Sequence, residues 1–191
     1  MDARMMEMEK DFHFIDTLAP EFNLQDAEGE LVHLSDFSDK IVLLNFINKD
    51  CTEICKLHSK KIAAIQASIN DGPMKDLVQF ISITTTPLSD TPHILSNYPE
   101  IYELDPVNWV FLTQTPSQPA NAMQQLARDY TLNFTISDNS AMLKYTSAIH
   151  VIDIEGRLAG TFHSVNFKNV NLILYVNELT NISQHRRRER G

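Results

Sequence analysis

Ile41-Val42-Leu43-Leu44-Asn45-Phe46-Ile47 is followed at once by Asn48-Lys49-Asp50-Cys51-Thr52-Glu53-Ile54-Cys55. The first run is almost continuously apolar, and it is as long as one strand and too short for a buried helix. It predicts a central β-strand covered on both faces rather than a half-exposed one, which would alternate. After the cysteines the period changes from two to near four. Ile54, Ile62, Ile65 and Ile69 share one helical stripe, with His58 on the same line, and Asp71-Gly72-Pro73 ends the helix. Both cysteines of the chain therefore fall where a buried strand hands over to a helix.

Working outward, Ala19 to Asp26 alternates, meets the turn residues Glu28-Gly29 and continues into Leu31-Val32-His33-Leu34, which predicts an N-terminal β-hairpin. Leu77 to Ile83 reads as a second buried strand, Trp109 to Thr113 as a short one, and Ser147 to Asp153 with Arg157 to Phe162 as a hairpin about Glu155-Gly156. Helices are predicted to open at Thr91-Pro92, to run from Ser117 to Asp129, and to close the chain through Val170, Ile173, Leu174, Val176 and Leu179. Strands alternating with helices, then a closing hairpin and helix, give an α/β class with a central mixed β-sheet flanked by helices. The strand–cysteine–helix junction is what a thioredoxin-like fold shows. The expected organisation is an N-terminal tail over 1–14, one thioredoxin-like domain over 15–183, and a basic C-terminal tail over 184–191.

The 191 residues are 43% hydrophobic and 21% charged, a globular profile for one domain. Such a chain needs no disulfide staple to fold, so its two cysteines point to chemistry rather than scaffolding. A net charge of −9 argues against nucleic acid as a partner, because phosphate binding needs a basic face. The only basic run is Arg186-Arg187-Arg188 with Arg190, which reads as a solvated tail. No window approaches the ~18 apolar residues of a membrane span. The N-terminus lacks the apolar stretch of a secretory signal, so the expectation is either a cytoplasmic protein or one whose export or anchor segment has been removed.

A thiol at a helix N-terminus sees unpaired backbone N–H groups and the positive end of the helix dipole, and both favour thiolate. Three intervening residues bring Cys51 and Cys55 near enough to form a disulfide after local adjustment, or to share a soft metal ion. Read from the residues alone, these two outcomes stay open, beside the plainer one of two ordinary helix-spaced cysteines.

Several segments together resemble the Sco/SenC family of copper-handling thiol proteins. They are Asp50-Cys51-x-x-x-Cys55 after the apolar strand; Phe80-Ile81-Ser82-Ile83-Thr84 with Asp90-Thr91-Pro92 beyond it; Asn108-Trp109-Val110-Phe111-Leu112-Thr113 with Leu126-Ala127; and Val151-Ile152-Asp153-Ile154-Glu155-Gly156. The resemblance runs from about Ala19 to Leu179. It implies a thioredoxin-like domain, periplasmic or in the intermembrane space and usually tethered to a membrane, that binds copper through Cys51, Cys55 and a distant histidine; two thiolates alone would hold Cu(I) in preference to Cu(II). It also implies work on the copper site of a cytochrome c oxidase subunit or of another copper or thiol protein, by metal delivery or thiol reduction. In that reading Cys51 and Cys55 are at once the catalytic thiols and the metal ligands.

The pattern departs from the family at named positions. The family's ligand histidine, eight residues before the aspartate of the closing turn, falls on Tyr145, and Lys144 replaces its preceding aspartate. Thr85-Thr86 stand for Asp-Pro, and Lys56 for the proline after the second cysteine. His150, five residues beyond Tyr145 in the next strand and about 16 Å away, is read as a hydrogen-bonded strand histidine. His58 is read as a satisfied histidine at the core margin. His13, His33, His93, His163 and His185 receive no role. The departures shift weight from copper delivery toward disulfide exchange, which Lys144 would favour by stabilising thiolate.

Two other classes compete. A peroxiredoxin needs Pro-x-x-x-Thr-x-x-Cys, which Leu44 to Asp50 does not supply; a thioredoxin needs Cys-x-x-Cys and a facing proline, where this chain has Ile54 and Tyr145-Thr146-Ser147. A relative without chemistry, acting as a binding module, is the third.

Overall fold

A computed structural model describes residues 12–48, 53–131, 148–163 and 166–190, with the side chains at 54, 55, 131 and 186–190 left aside. Strand β4 (Ile41–Ile47) is the predicted central strand, and its residues Ile41 to Phe46 are all buried. It pairs in parallel with β5 (Val78–Thr84), from Ile41↔Val78 to Ile47↔Thr84. A parallel pair needs a crossover between its strands. Helix α1 (Glu53–Asn70) supplies it and ends at the predicted Asp71-Gly72 turn. Strand β6 (Trp109–Leu112) extends the parallel side. On the other side β7 (Ile149–Ile152) runs antiparallel to β4, β8 (Arg157–Phe162) returns beside β7, and β1 (Phe12–Leu18) closes the edge. The order across this mixed sheet is β1-β8-β7-β4-β5-β6. The predicted N-terminal hairpin is β2 (Asn23–Gln25) with β3 (Leu31–His33), tied to the end of β6 by reciprocal Gln25–Thr113 backbone bonds of 2.9 Å.

The alternation of β4 and β5 divides the core into two layers. Ile41, Leu43, Val78 and Phe80 face Ile62, Ile65 and Ile69 of α1 and Leu172, Tyr175 and Val176 of α3 (Asn169–Arg190). Val42, Leu44, Phe46, Ile81 and Ile83 face the hairpin and Met123, Ala127 and Tyr130 of α2 (Ala122–Thr131). Asn45, the one polar residue of the strand, is buried with its amide oxygen accepting from Ser82 Oγ at 2.7 Å, and Ser82 in turn accepts from the Trp109 indole at 2.9 Å. The α/β class with a mixed sheet between helices is therefore as expected.

Four local expectations differ. The strand β1 begins at Phe12, inside the stretch assigned to a tail; its exposed Phe14 and Leu18 break the alternation, and it forms because β8 offers a free edge. The predicted helix from Ser117 starts only at Ala122, after a turn in which Gln118 N–H donates to Thr115 O. Pro119 explains the delay, since a proline disfavours helix at the residue before it. The helix opening at Thr91-Pro92 is two single turns, Pro92–Leu95 and Tyr98–Ile101, because Pro99 has no N–H to bond back with. The basic tail continues α3 to Arg190, where arginine is a good helix former and a cation suits the helix C-terminus.

The edge strand depends on a missing side chain. A Cβ on Gly160 of β8 would meet the Phe12 ring at 2.6 Å and His13 O at 3.1 Å. Gly160→Val is expected to destabilise the domain by about 2 kcal/mol, as overpacking does. Hydrogen exchange should show the loss of protection concentrated in β1; unchanged β1 protection would refute this packing.

Candidate functional site at the end of the central strand

The end of β4 at Ile47 and the first turns of α1 from Glu53 frame the site. Cys51 lies outside the described residues, as do Lys144 and Tyr145. Cys55 stands in the first turn of α1. Beside it Lys56 pairs with Glu53 at 3.3 Å, an exposed contact of little energetic weight.

The exit of β4 is held by the loop after β5. Ile47 O accepts from Thr85 N–H at 2.8 Å and from Thr85 Oγ1 at 3.1 Å. That loop is itself fixed by Asp90, whose side chain is fully buried. Its Oδ2 accepts from the hydroxyls of Thr84 and Thr86, and its Oδ1 from the hydroxyl of Tyr98. Burial, and then the adjoining carboxylate, push the Tyr98 phenol far above its ordinary range, so it stays a donor at every ordinary pH. Thr85 and Thr86 thus do structural work with Asp90 on the strand end.

A group of histidines occupies the same end of the sheet. His150 of β7 is fully buried, with Nδ1 at 2.9 Å from Thr161 Oγ1, as expected of a hydrogen-bonded strand histidine. Its ring packs near Tyr130 and Phe46, with centroids at 5.2 and 6.0 Å. Burial, then His163 and His58, lower its pKa from 6.5 to about 3. His13 and His163, to which the sequence assigned no role, pack against each other at a tilt, with ring centroids 4.6 Å apart. The register explains this: His13 and His150 both lie opposite Thr161, one strand away on either side, and His163 stands two residues after Thr161, just past the end of β8. Nothing in the sequence spacing marks them, because the row exists only across three paired strands.

His58 is buried, as its position on the isoleucine stripe predicts. Burial first, then the charge of Lys61, lower its pKa from 6.5 to about 4, while a backbone hydrogen bond with Ala148 works the other way, so the imidazole is neutral at physiological pH. Among the described residues no three His, Cys, Asp or Glu side chains are arranged to hold a metal ion.

The SCO1/SenC family model matches residues 11–179, nearly the whole chain. The chain belongs to the SCO1/SenC family. It is 25% identical over 136 residues to the mouse mitochondrial protein SCO2 homolog, a match that takes in 71% of the chain and spans about half, 52%, of that relative. Among solved structures it resembles BsSco, described as a member of the Sco family of cytochrome c oxidase assembly proteins in which a disulfide switch was identified. The TM-score there is 0.73, with 19% identity, over 88% of this chain and 96% of the other. It also resembles yeast Sco1 with copper bound, with a TM-score of 0.68 and 18% identity over 86% of this chain and 93% of that one. These neighbours establish the SCO1/SenC thioredoxin-like fold for the described sheet and helices.

Two outcomes follow from the buried polar groups. Asp90→Ala removes the acceptor of three hydroxyls and should cost about 3 kcal/mol, because buried donors left unmade cost about 1–3 kcal/mol each. Chemical denaturation measures it, and a loss below 1 kcal/mol would show that water replaces the carboxylate. The second concerns pH. The folded chain keeps His150 neutral, whereas the unfolded chain protonates it near 6.5, so its stabilising share is complete above pH 6.5 and lost as pH falls toward 3. The melting temperature should drop across that window, less steeply in His150→Leu; equal slopes would place the titration elsewhere.

Proposed function

We propose that this SCO1/SenC domain takes up Cu(I) as cargo on Cys51 and Cys55 and passes it to the copper site of a cytochrome c oxidase subunit or of another copper or thiol protein. In the absence of metal the same pair works as a dithiol. It gives two electrons and two protons to a partner's disulfide, becoming a Cys51–Cys55 disulfide while the partner becomes a dithiol.

The observation that carries this reading is the family match over 11–179 together with a Cys-x-x-x-Cys pair at the junction from β4 to α1. The helix start supplies the electrostatics: free backbone N–H groups and the positive dipole end lower a thiol's pKa, and thiolate is both the soft-metal ligand and the nucleophile. Soft d¹⁰ copper accepts low coordination by sulfur, so two thiolates suffice to retain Cu(I). Copper bound to yeast Sco1 and the disulfide switch of BsSco supply one precedent for each half of the proposal. The site of action proposed is the periplasm or an equivalent compartment, reached as an exported or membrane-tethered domain. Among the described residues no helix is long and apolar enough to cross a membrane.

Reduced protein titrated with Cu(I) against a chromophoric chelator is expected to bind about one equivalent, the stoichiometry of one two-thiolate site. Cys51→Ser and Cys55→Ser should each abolish that binding. Retention of full binding by both variants would refute the copper reading. Mass spectrometry after mild oxidation should show the loss of two hydrogens and a Cys51–Cys55 linkage; two free thiols would refute the redox half.

A further inference from the structure

We propose that His13 and His163 form a separate metal site, an imidazole pair on the outer strands of the sheet that binds Cu(II). The site uses neither cysteine, and it is independent of Cu(I) binding by the Cys51–Cys55 pair.

The strand register brings the two rings together. His13 of β1 lies opposite Thr161 of β8, and His163 stands two residues after Thr161, which makes the histidines diagonal neighbours. Such neighbours are about 7–8 Å apart, within reach of aromatic side chains. Their ring centres are 4.6 Å apart, and the planes are inclined at 55°. A metal–nitrogen bond of about 2.0–2.1 Å puts the centre of each ring about 3.2 Å from the ion. Two rings bound at a right angle then have centres about 4.5 Å apart, and two rings in line with the ion about 6.4 Å. The observed spacing matches the right-angled pair. That is the relation of neighbouring ligands in tetragonal Cu(II), not of the two ligands of linear Cu(I).

The surroundings hold that spacing. The ring of Phe12, next to His13, packs against Phe162 and Tyr175 with centroids at 4.6 and 5.1 Å, and it lies over Gly160. These contacts fix β1 on β8, so the imidazoles are presented by packed strands rather than by a loop. His13 is exposed and His163 half-buried, which leaves the pair within reach of an ion in solution. Imidazole donors suit Cu(II), the divalent first-row ion that such sites bind most tightly. His150 belongs to the same row of the sheet but is fully buried and engages Thr161 through Nδ1, so the site is a pair. Leu44, His150, Thr161 and His13 face one another in succession across β4, β7, β8 and β1. The pair therefore stands three strand spacings, about 14 Å, from β4, towards the end where that strand hands over to α1.

The test uses the full chain carrying Cys51→Ser and Cys55→Ser, titrated with Cu(II) supplied as its glycine complex. About one equivalent is expected to bind, with electron paramagnetic resonance showing coupling to two imidazole nitrogens. The melting temperature should rise on binding, because the ion is held only while β1 is paired with β8. His13→Gln and His163→Gln, added singly, should each weaken binding by at least the ~10–100-fold that loss of even an outer-shell partner costs, and should remove one of the two couplings. His93→Gln, at an exposed histidine elsewhere, should change neither. Two couplings that survive in His13→Gln and in His163→Gln overturn the assignment, as does an equal loss in all three variants. Absence of Cu(II) binding by the cysteine-free chain overturns it too, while Cu(I) binding by the parent is judged separately. His13 is exposed, so the metal-free melting temperature of its variant should stay close to the parent's and keep the comparison valid.

Discussion

The position of strand β4 constrains everything else in this molecule. Ile41 to Phe46 are buried from both sides, with β5 hydrogen-bonded along one edge and β7 along the other. A strand enclosed in this way has no freedom to slip, because a shift by one residue would turn its whole apolar set to the wrong layer. Its C-terminal end is therefore a fixed point, and the chain leaves it directly for the helix that carries Cys55.

That fixed point is reinforced by buried polar groups. Asp90 gathers three hydroxyls from Thr84, Thr86 and Tyr98, and Thr85 between them holds the carbonyl of Ile47. A carboxylate at this depth is tolerable only because several donors satisfy it. The result links the ends of two neighbouring parallel strands. The buried histidines follow the same rule, His150 through Thr161 and His58 through the backbone of Ala148.

Membership in SCO1/SenC accounts for the sheet and for the helix that follows β4.

Much of this was legible in the amino-acid order. Six apolar residues among the seven of β4, the four-residue rhythm from Ile54 to Ile69 and the turn at Gly156 are local signals, and each produced the element it announced. The burial of His58 was legible for the same reason, since it stands on that rhythm. Tertiary structure decided the rest. Strand β1 has no clean alternation and exists because β8 presents an unpaired edge with a glycine where Phe12 packs. The contact of His13 with His163 joins residues 150 positions apart, and the Asp90 clamp reaches from one loop into a strand and a helical turn. Whether a buried nitrogen meets a partner depends on which distant groups the fold brings to it. Periodicity records which side of an element is dry; only the assembled sheet and helices determine which polar atoms on that side are satisfied.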